Sequence, residues 1–179
     1  ELMSLSSFFL VAFDHRLPVV QRSAWTYLLA CHVGAACLFA LFLIAGQTCG
    51  SLQFSEFGAL KQVTAGSALT MFLLAVIGFG TKAGLFPLHV WLPDAHPAAP
   101  SHVSALMSGV MVKTGIYGIL RVLLLLPTAP VWWGGLLAGA GIIGAVYGIA
   151  LATQQRDIKR CLAYSTIENV GIIFLGLGV

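Results

Sequence analysis

Residues 63–92 read VTAGSALTMFLLAVIGFGTKAGLFPLHVWL. The run is apolar almost throughout, and Lys82 is its one formal charge. As a straight helix it would be about 45 Å long, against a hydrocarbon core of about 30 Å. Something must break it. Pro87 has no N–H and would clash with the carbonyl of Ala83. Gly84 adds backbone freedom. Pro93, Pro97 and Pro100 follow. The stretch therefore predicts a discontinuous helix broken beside Lys82, with Gly84, Pro87 and Pro93 as the breaking residues. Such breaks survive in a membrane only where protein or a water-filled cavity satisfies the freed backbone groups. They recur at transporter ion sites.

Outward from this stretch the same apolar character repeats. Six segments can be drawn: Glu1–Phe13, Trp25–Gly46, the run from Val63, Val103–Leu126, Val131–Thr153 and Cys161–Val179. A span needs roughly 20 apolar residues, which the last five provide. Soluble domains average about 25% charged residues, whereas this chain of 179 residues has 8%, with 59% hydrophobic. The expected fold is an all-α transmembrane helix bundle. Composition excludes the soluble-enzyme classes. The net charge of +3 comes without a long basic cluster, so no nucleic-acid partner is expected. The chain opens on Glu1 and closes on an apolar run, so a fragment of a longer membrane chain is expected, without a signal peptide.

Orientation follows from the connectors. Arg16, Arg22, Arg156, Lys159 and Arg160 fall on one side, called A; Lys61 and a snorkelling Arg121 fall on the other, B. Side A is assigned to the cytoplasm. Ala140, Gly144 and Gly148 at spacing four, with Gly135 and Gly139, predict close helix packing in the fifth segment.

Few polar groups interrupt the spans. Between Val103 and Leu126 the only charges are Lys113 and Arg121. A lysine at mid-span costs at least ~2.5–3.5 kcal/mol on insertion scales. Intramembrane ionisable groups default to function, and burial lets a lysine gain and lose a proton near neutral pH. Lys113 is therefore a candidate proton-relay group facing the bundle interior; the competing reading is a structural ion pair. Lys82 is a candidate because of the adjacent break. Glu168, inside the last segment, is a candidate proton carrier or an interfacial residue. His89, His96 and His102 surround the break with Asp94 among them. Spacing cannot make them converge, so structural or relay roles, with His89 in the relay, are favoured over a metal. His32 reads as a packed or relay histidine. Cys31, Cys37, Cys49 and Cys161 contain no CxxC pair, and Cys31 and Cys37 lie in an apolar run and read as small hydrophobes, so neither zinc nor a disulfide is expected. Asp157 reads as part of a solvated charged connector.

At this point GFGTKAGLFPLHVWLPDAHPAAPSHVSALMSGVMVKTGIYGILR, flanked by ELMSLSSFFLV and QRDIKRCLAYSTIENVGII, resembles a known family. It is that of the antiporter-like subunits of respiratory complex I, multi-subunit sodium/proton antiporters and energy-converting hydrogenases. The resemblance covers nearly the whole chain. Glu168 in STIENVGII leans toward the large antiporter-like subunits of formate hydrogenlyase and hydrogenase-4. Some relatives carry histidine where this chain has Ser108. The resemblance implies a proton-translocating module of about fourteen helices in two inverted repeats. Residues 1–179 would hold most of the first repeat and the start of the second. It implies that Glu1 pairs with Lys82 on the broken helix, and that Lys113 passes charge toward a central axis.

The expected function is proton translocation, with sodium as the alternative ion, in a multi-subunit complex of the cell inner membrane. Its partners would be other membrane subunits and a peripheral redox arm holding the redox chemistry. This chain would need no cofactor and have no catalytic residue of its own. The alternatives are a complex I or sodium/proton antiporter subunit, a non-transporting membrane anchor, and a haem- or quinone-binding enzyme.

Overall fold

The computed structural model describes residues 1–126 and 129–179, apart from the side chains of Ala59, Lys61 and Gln62. The assignment of Lys61 to side B thus lies outside the described residues. Helix α1 (Leu2–Val11) runs into a 3-10 turn (Ala12–Asp14), then α2 (Pro18–Cys49). A 3-10 stretch (Phe54–Gln62) leads to α3 (Ala65–Ala83) and the short α4 (Leu92–Ala98). Helix α5 (Ser101–Leu106), a π-turn (Met107–Met111) and α6 (Val112–Leu125) form one span. Helices α7 (Val131–Ala152) and α8 (Ile158–Gly178) close the chain. Among the described residues five helices are long and apolar enough to cross a membrane, and α1 is a shorter apolar helix. The six expected segments are all helical, and the all-α membrane bundle is the observed fold.

Local chemistry sets the ends. Helix α2 starts earlier than its apolar run because Pro18 occupies the first turn, where a missing N–H costs nothing. It stops at Gly50, which takes the left-handed conformation at φ 71°. Thr64 caps α3 by accepting from Ser67 N–H. Asp157 caps α8 by accepting from Lys159 N–H at 3.0 Å, a more specific task than a solvated connector.

The break falls beside Lys82, as expected. Helix α3 ends at Ala83, and Gly84 adopts φ 71°, ψ 33° with its N–H turned back to the carbonyls of Gly80 and Thr81. A side chain at this φ would be strained. Pro87 lies in the turns that follow. Pro93 differs from the expectation. It sits in the first turn of α4, where proline is tolerated, so it opens a helix and does not break one.

Alternation of the spans puts the α1–α2, α3–α5 and α7–α8 connectors at one end, side A. Two contacts tie that end together. Arg160 Nη2 meets Asp94 Oδ1 at 3.1 Å, and Lys159 Nζ donates to the carbonyl of Ala99 at 2.8 Å.

Helices α7 and α8 form a tight hairpin, but not in the expected register. A Cβ at Gly141 would lie 2.6 Å from Gly171 O, and one at Gly148 would lie 2.6 Å from Glu168 N. Gly134 meets Gly178 in the same way. The seam is Gly134, Gly141 and Gly148, at spacing seven. Gly135 and Gly139 face open space, and a Cβ at Gly144 would lie against Phe86 at 3.3 Å, with Gly171 of α8 farther off at 3.9 Å. Spacing seven keeps one face toward an antiparallel neighbour along the whole contact, which spacing four does not.

Gly141→Leu is expected to force these helices apart, at a cost of about 1–3 kcal/mol from overpacking. Gly139→Leu meets nothing within 4 Å and should leave stability unchanged. Thermal unfolding of the full-length protein in detergent checks both.

Candidate functional site

The break leaves the C-terminal end of α3 inside the bundle. Lys82 lies in its last turn. The Lys82 ammonium donates to Ser4 Oγ of α1 at 2.9 Å, to Tyr27 OH at 3.3 Å and to Cys31 Sγ at 3.6 Å. It also stands 5.5 Å from the Tyr27 ring centroid. Tyr27 and Cys31 are one helical turn apart on α2, so both face α3. Cys31 is close to the midpoint of α2 (Pro18–Cys49), which puts the ammonium at mid-span. The helix end helps hold a cation there, because the last carbonyls of α3 carry partial negative charge.

Those carbonyls are also satisfied. Leu85 N–H donates to Gly80 O at 2.9 Å. Trp91 folds back from the loop, fully buried, and its indole N–H donates to Thr81 O at 2.8 Å. The Trp91 ring meets Tyr27 edge-on at 5.0 Å. One residue thus closes the broken helix end and props the tyrosine that holds Lys82.

Glycines let neighbouring helices approach α3. A Cβ at Gly34 would lie 3.0 Å from Gly78 O, and one at Gly115 would lie 2.6 Å from Phe79 O. Between them opens a cavity of about 230 Å³, lined by Glu1, Ser4, Cys31, Thr81, Lys82 and Thr114 among others. It has room for several waters.

Glu1 shares this cavity with Lys82, but the expected ion pair between them is not formed. The Glu1 carboxylate meets His32 Nε2 at 3.2 Å, while His32 Nδ1 lies 2.9 Å from the carbonyl of Leu28. His32 therefore has a partner at its own depth, which its isolation in the sequence does not suggest. Ser4, Tyr27 and Cys31 are likewise site residues that sequence reasoning missed. The one available signal was the Tyr27–Cys31 spacing on a single helix face.

Lys113 does not join Lys82. It is exposed on the chain, and its ammonium donates to Ser108 O at 2.7 Å, a carbonyl of the π-turn. It lines a separate cavity of about 460 Å³ between the α5–α6 span and α8, with Ser104, Ser108, Lys159, Ser165 and Asn169. Ser108 shares a hydrogen bond with Thr166 at 2.8 Å. Thr114 lines the Lys82 cavity and Lys113 the other, so neighbouring residues of α6 face both.

The other candidates lie apart. Glu168 is half-buried on α8 at the Gly148 contact. His89 is buried between Phe86, at 5.3 Å between ring centroids, and Tyr147, at 5.1 Å. His96 shares a 2.6 Å hydrogen bond with Ser104, and burial pushes its imidazole down to about 4, so it is neutral at pH 7. Asp94 takes Arg160, and His102 is exposed. The three histidines and Asp94 thus go to different neighbours, and among the described residues no metal-holding group of side chains forms.

Known proteins are similar to this chain in sequence and fold. The family model described as "NADH:quinone oxidoreductase/Mrp antiporter, TM" matches residues 1–179. The chain belongs to this antiporter family. It is 50% identical over 182 residues to hydrogenase-4 component B of Escherichia coli (strain K12), covering 100% of this chain and 27% of that protein. It is 48% identical over 119 residues to formate hydrogenlyase subunit 3 of the same organism, covering 66% of this chain and 19% of that protein. A solved chain from the membrane-bound sulfane sulfur reductase, an archaeal respiratory membrane complex, superposes with a TM-score of 0.88 at 26% identity. That match covers 98% of this chain and 36% of the other. The chain thus spans well under half of the relatives it matches. These relatives are named as a component, a subunit and a part of a membrane complex, and the chain is an antiporter-like membrane segment of their family.

Trp91→Phe removes the indole N–H from a buried helix end and is expected to destabilise the protein by about 1–3 kcal/mol. Arg160→Ala breaks an ion pair that is half exposed on both sides, and should cost less than about 1 kcal/mol. Thermal midpoints of the two variants in detergent test this order.

Proposed function

We propose that this chain carries protons across the inner membrane of a prokaryotic cell, as part of a redox-driven complex of the hydrogenase or formate hydrogenlyase type. The observation that carries the reading is Lys82. It is an ammonium at mid-span, held by three polar side chains at the end of a broken helix, in a cavity that also reaches Glu1. A structural lysine needs one carboxylate partner; this one has hydroxyl and thiol partners and space for water, which is what proton transfer requires.

In this reading Lys82 holds a proton while negative charge faces it across the cavity from Glu1. When that charge is neutralised, the ammonium loses its support and releases the proton into the cavity water. The proton moves along α6 past Thr114 toward Lys113 and the second, polar cavity. Movement of the α3 end or of α6 opens that step, since the two lysines line separate cavities. No covalent chemistry occurs in this chain. The similarity to hydrogenase-4 component B and formate hydrogenlyase subunit 3 supports a hydrogenase-type host, whose partner subunits would supply the redox energy. Glu168 and His89 line neither cavity and have no step here. The separation of Lys82 from Lys113 favours a second reading, a non-pumping membrane anchor.

Lys82→Met and Lys113→Met, each in the full-length subunit of the assembled complex in liposomes, separate the two. Transport predicts that Lys82→Met lowers proton uptake by at least about a hundredfold with assembly intact. It predicts a loss at Lys113→Met as well. Normal uptake with normal redox turnover in both variants would make the lysines structural and the subunit an anchor.

A further inference from the structure

We infer that His32 is a proton-sharing partner of Glu1, and that this pair, resting on the proton path proposed above, sets the charge that Lys82 faces. The carbonyl of Leu28 can only accept a hydrogen bond, so the 2.9 Å contact places a hydrogen on His32 Nδ1. His32 Nε2 then faces Glu1 Oε1 at 3.2 Å. A bare imidazole nitrogen and a bare carboxylate oxygen would present lone pairs to each other. A proton must lie between them, on the nitrogen as imidazolium or on the oxygen as carboxylic acid.

With that one proton the pair is neutral, whichever atom carries it. Glu1 then offers Lys82 no net negative charge. Loss of the proton leaves a carboxylate beside a neutral imidazole, with a net charge of −1 on the rim of the Lys82 cavity. Gain of a second proton leaves imidazolium and carboxylic acid, with a net charge of +1. The pair therefore changes the field at Lys82 by one unit for every proton gained or lost. Without His32, Glu1 would be a fixed anion until it was itself protonated.

Other groups facing the pair do not substitute for His32. Tyr27 and Cys31, on the adjacent face of α2, and Ser4 of α1 are each taken by Lys82. The His32 side chain is 51% exposed, while Glu1 lines the cavity. The pair and the lysine thus have different hydrogen-bond partners, so charging one and charging the other are separate events, which a stepwise relay requires.

The test uses the full-length subunit in its assembled complex, reconstituted in liposomes, with redox turnover and proton uptake recorded together. His32→Gln keeps hydrogen-bonding capacity but cannot hold the shared proton. It should lower proton uptake per turnover at least about tenfold with assembly intact. The Glu1→Gln/His32→Gln double variant should be no worse than Glu1→Gln alone, because both act through one proton. Full uptake in His32→Gln beside loss in Lys82→Met overturns the role of His32 and leaves the proton path standing. Full uptake in both removes the path as well. Additive losses in the double variant also overturn the shared proton. If His32→Gln does not assemble, infrared difference spectra of the unsubstituted complex decide. A carboxyl band that changes together with an imidazole band, and is absent in Glu1→Gln, supports the pair; a carboxyl band changing alone refutes it.

Discussion

The structure depends on where α3 stops. A polar backbone end inside a bilayer is affordable only if its carbonyls find partners. Gly84, Leu85 and Trp91 supply them from the next few residues of chain. That local closure leaves Lys82 at mid-span, against the partial negative charge of the helix end and beneath Tyr27. The same residues that end the helix build the site. Trp91 shows this most directly, since its N–H serves the helix end and its ring serves the tyrosine.

Around this point the bundle is drawn in by glycine. Gly34, Gly78 and Gly115 bring α2 and α6 to within backbone contact of α3. Lipid tails offer helices no solvent-driven reason to associate, so close backbone approach and polar contacts must supply it. The Gly134, Gly141 and Gly148 seam does the same work for α7 and α8. A cavity survives between α1, α2, α3 and α6 because Ser4, Thr81 and Thr114 line it with small polar groups and leave the space open.

The two lysines illustrate two ways of keeping a charge in a membrane. Lys82 is held by side chains of two other helices, α1 and α2. Lys113 instead takes a backbone carbonyl within the π-turn of its own span, where the ordinary helical ladder is interrupted. The first arrangement depends on how the helices pack. The second is almost wholly local, which leaves Lys113 free to face a different cavity.

The sequence by itself determined the membrane class, the six apolar segments, the break after Lys82 and the membership of the antiporter family. These follow from local quantities: hydrophobic length, glycine and proline placement, and a specific motif block. Pro93 shows the limit even there, since proline reads alike whether it ends one helix or opens the next. What only the tertiary structure decided is which side chains meet. Glu1 turns to His32, Lys82 turns to Ser4, Tyr27 and Cys31, and the glycine seam takes spacing seven where spacing four was expected. The physical reason is rotation. These helices are apolar nearly all round, so no amphipathic stripe in the sequence fixes which way each one faces. That angle is set by packing against neighbours, and with it the partner of every buried polar group.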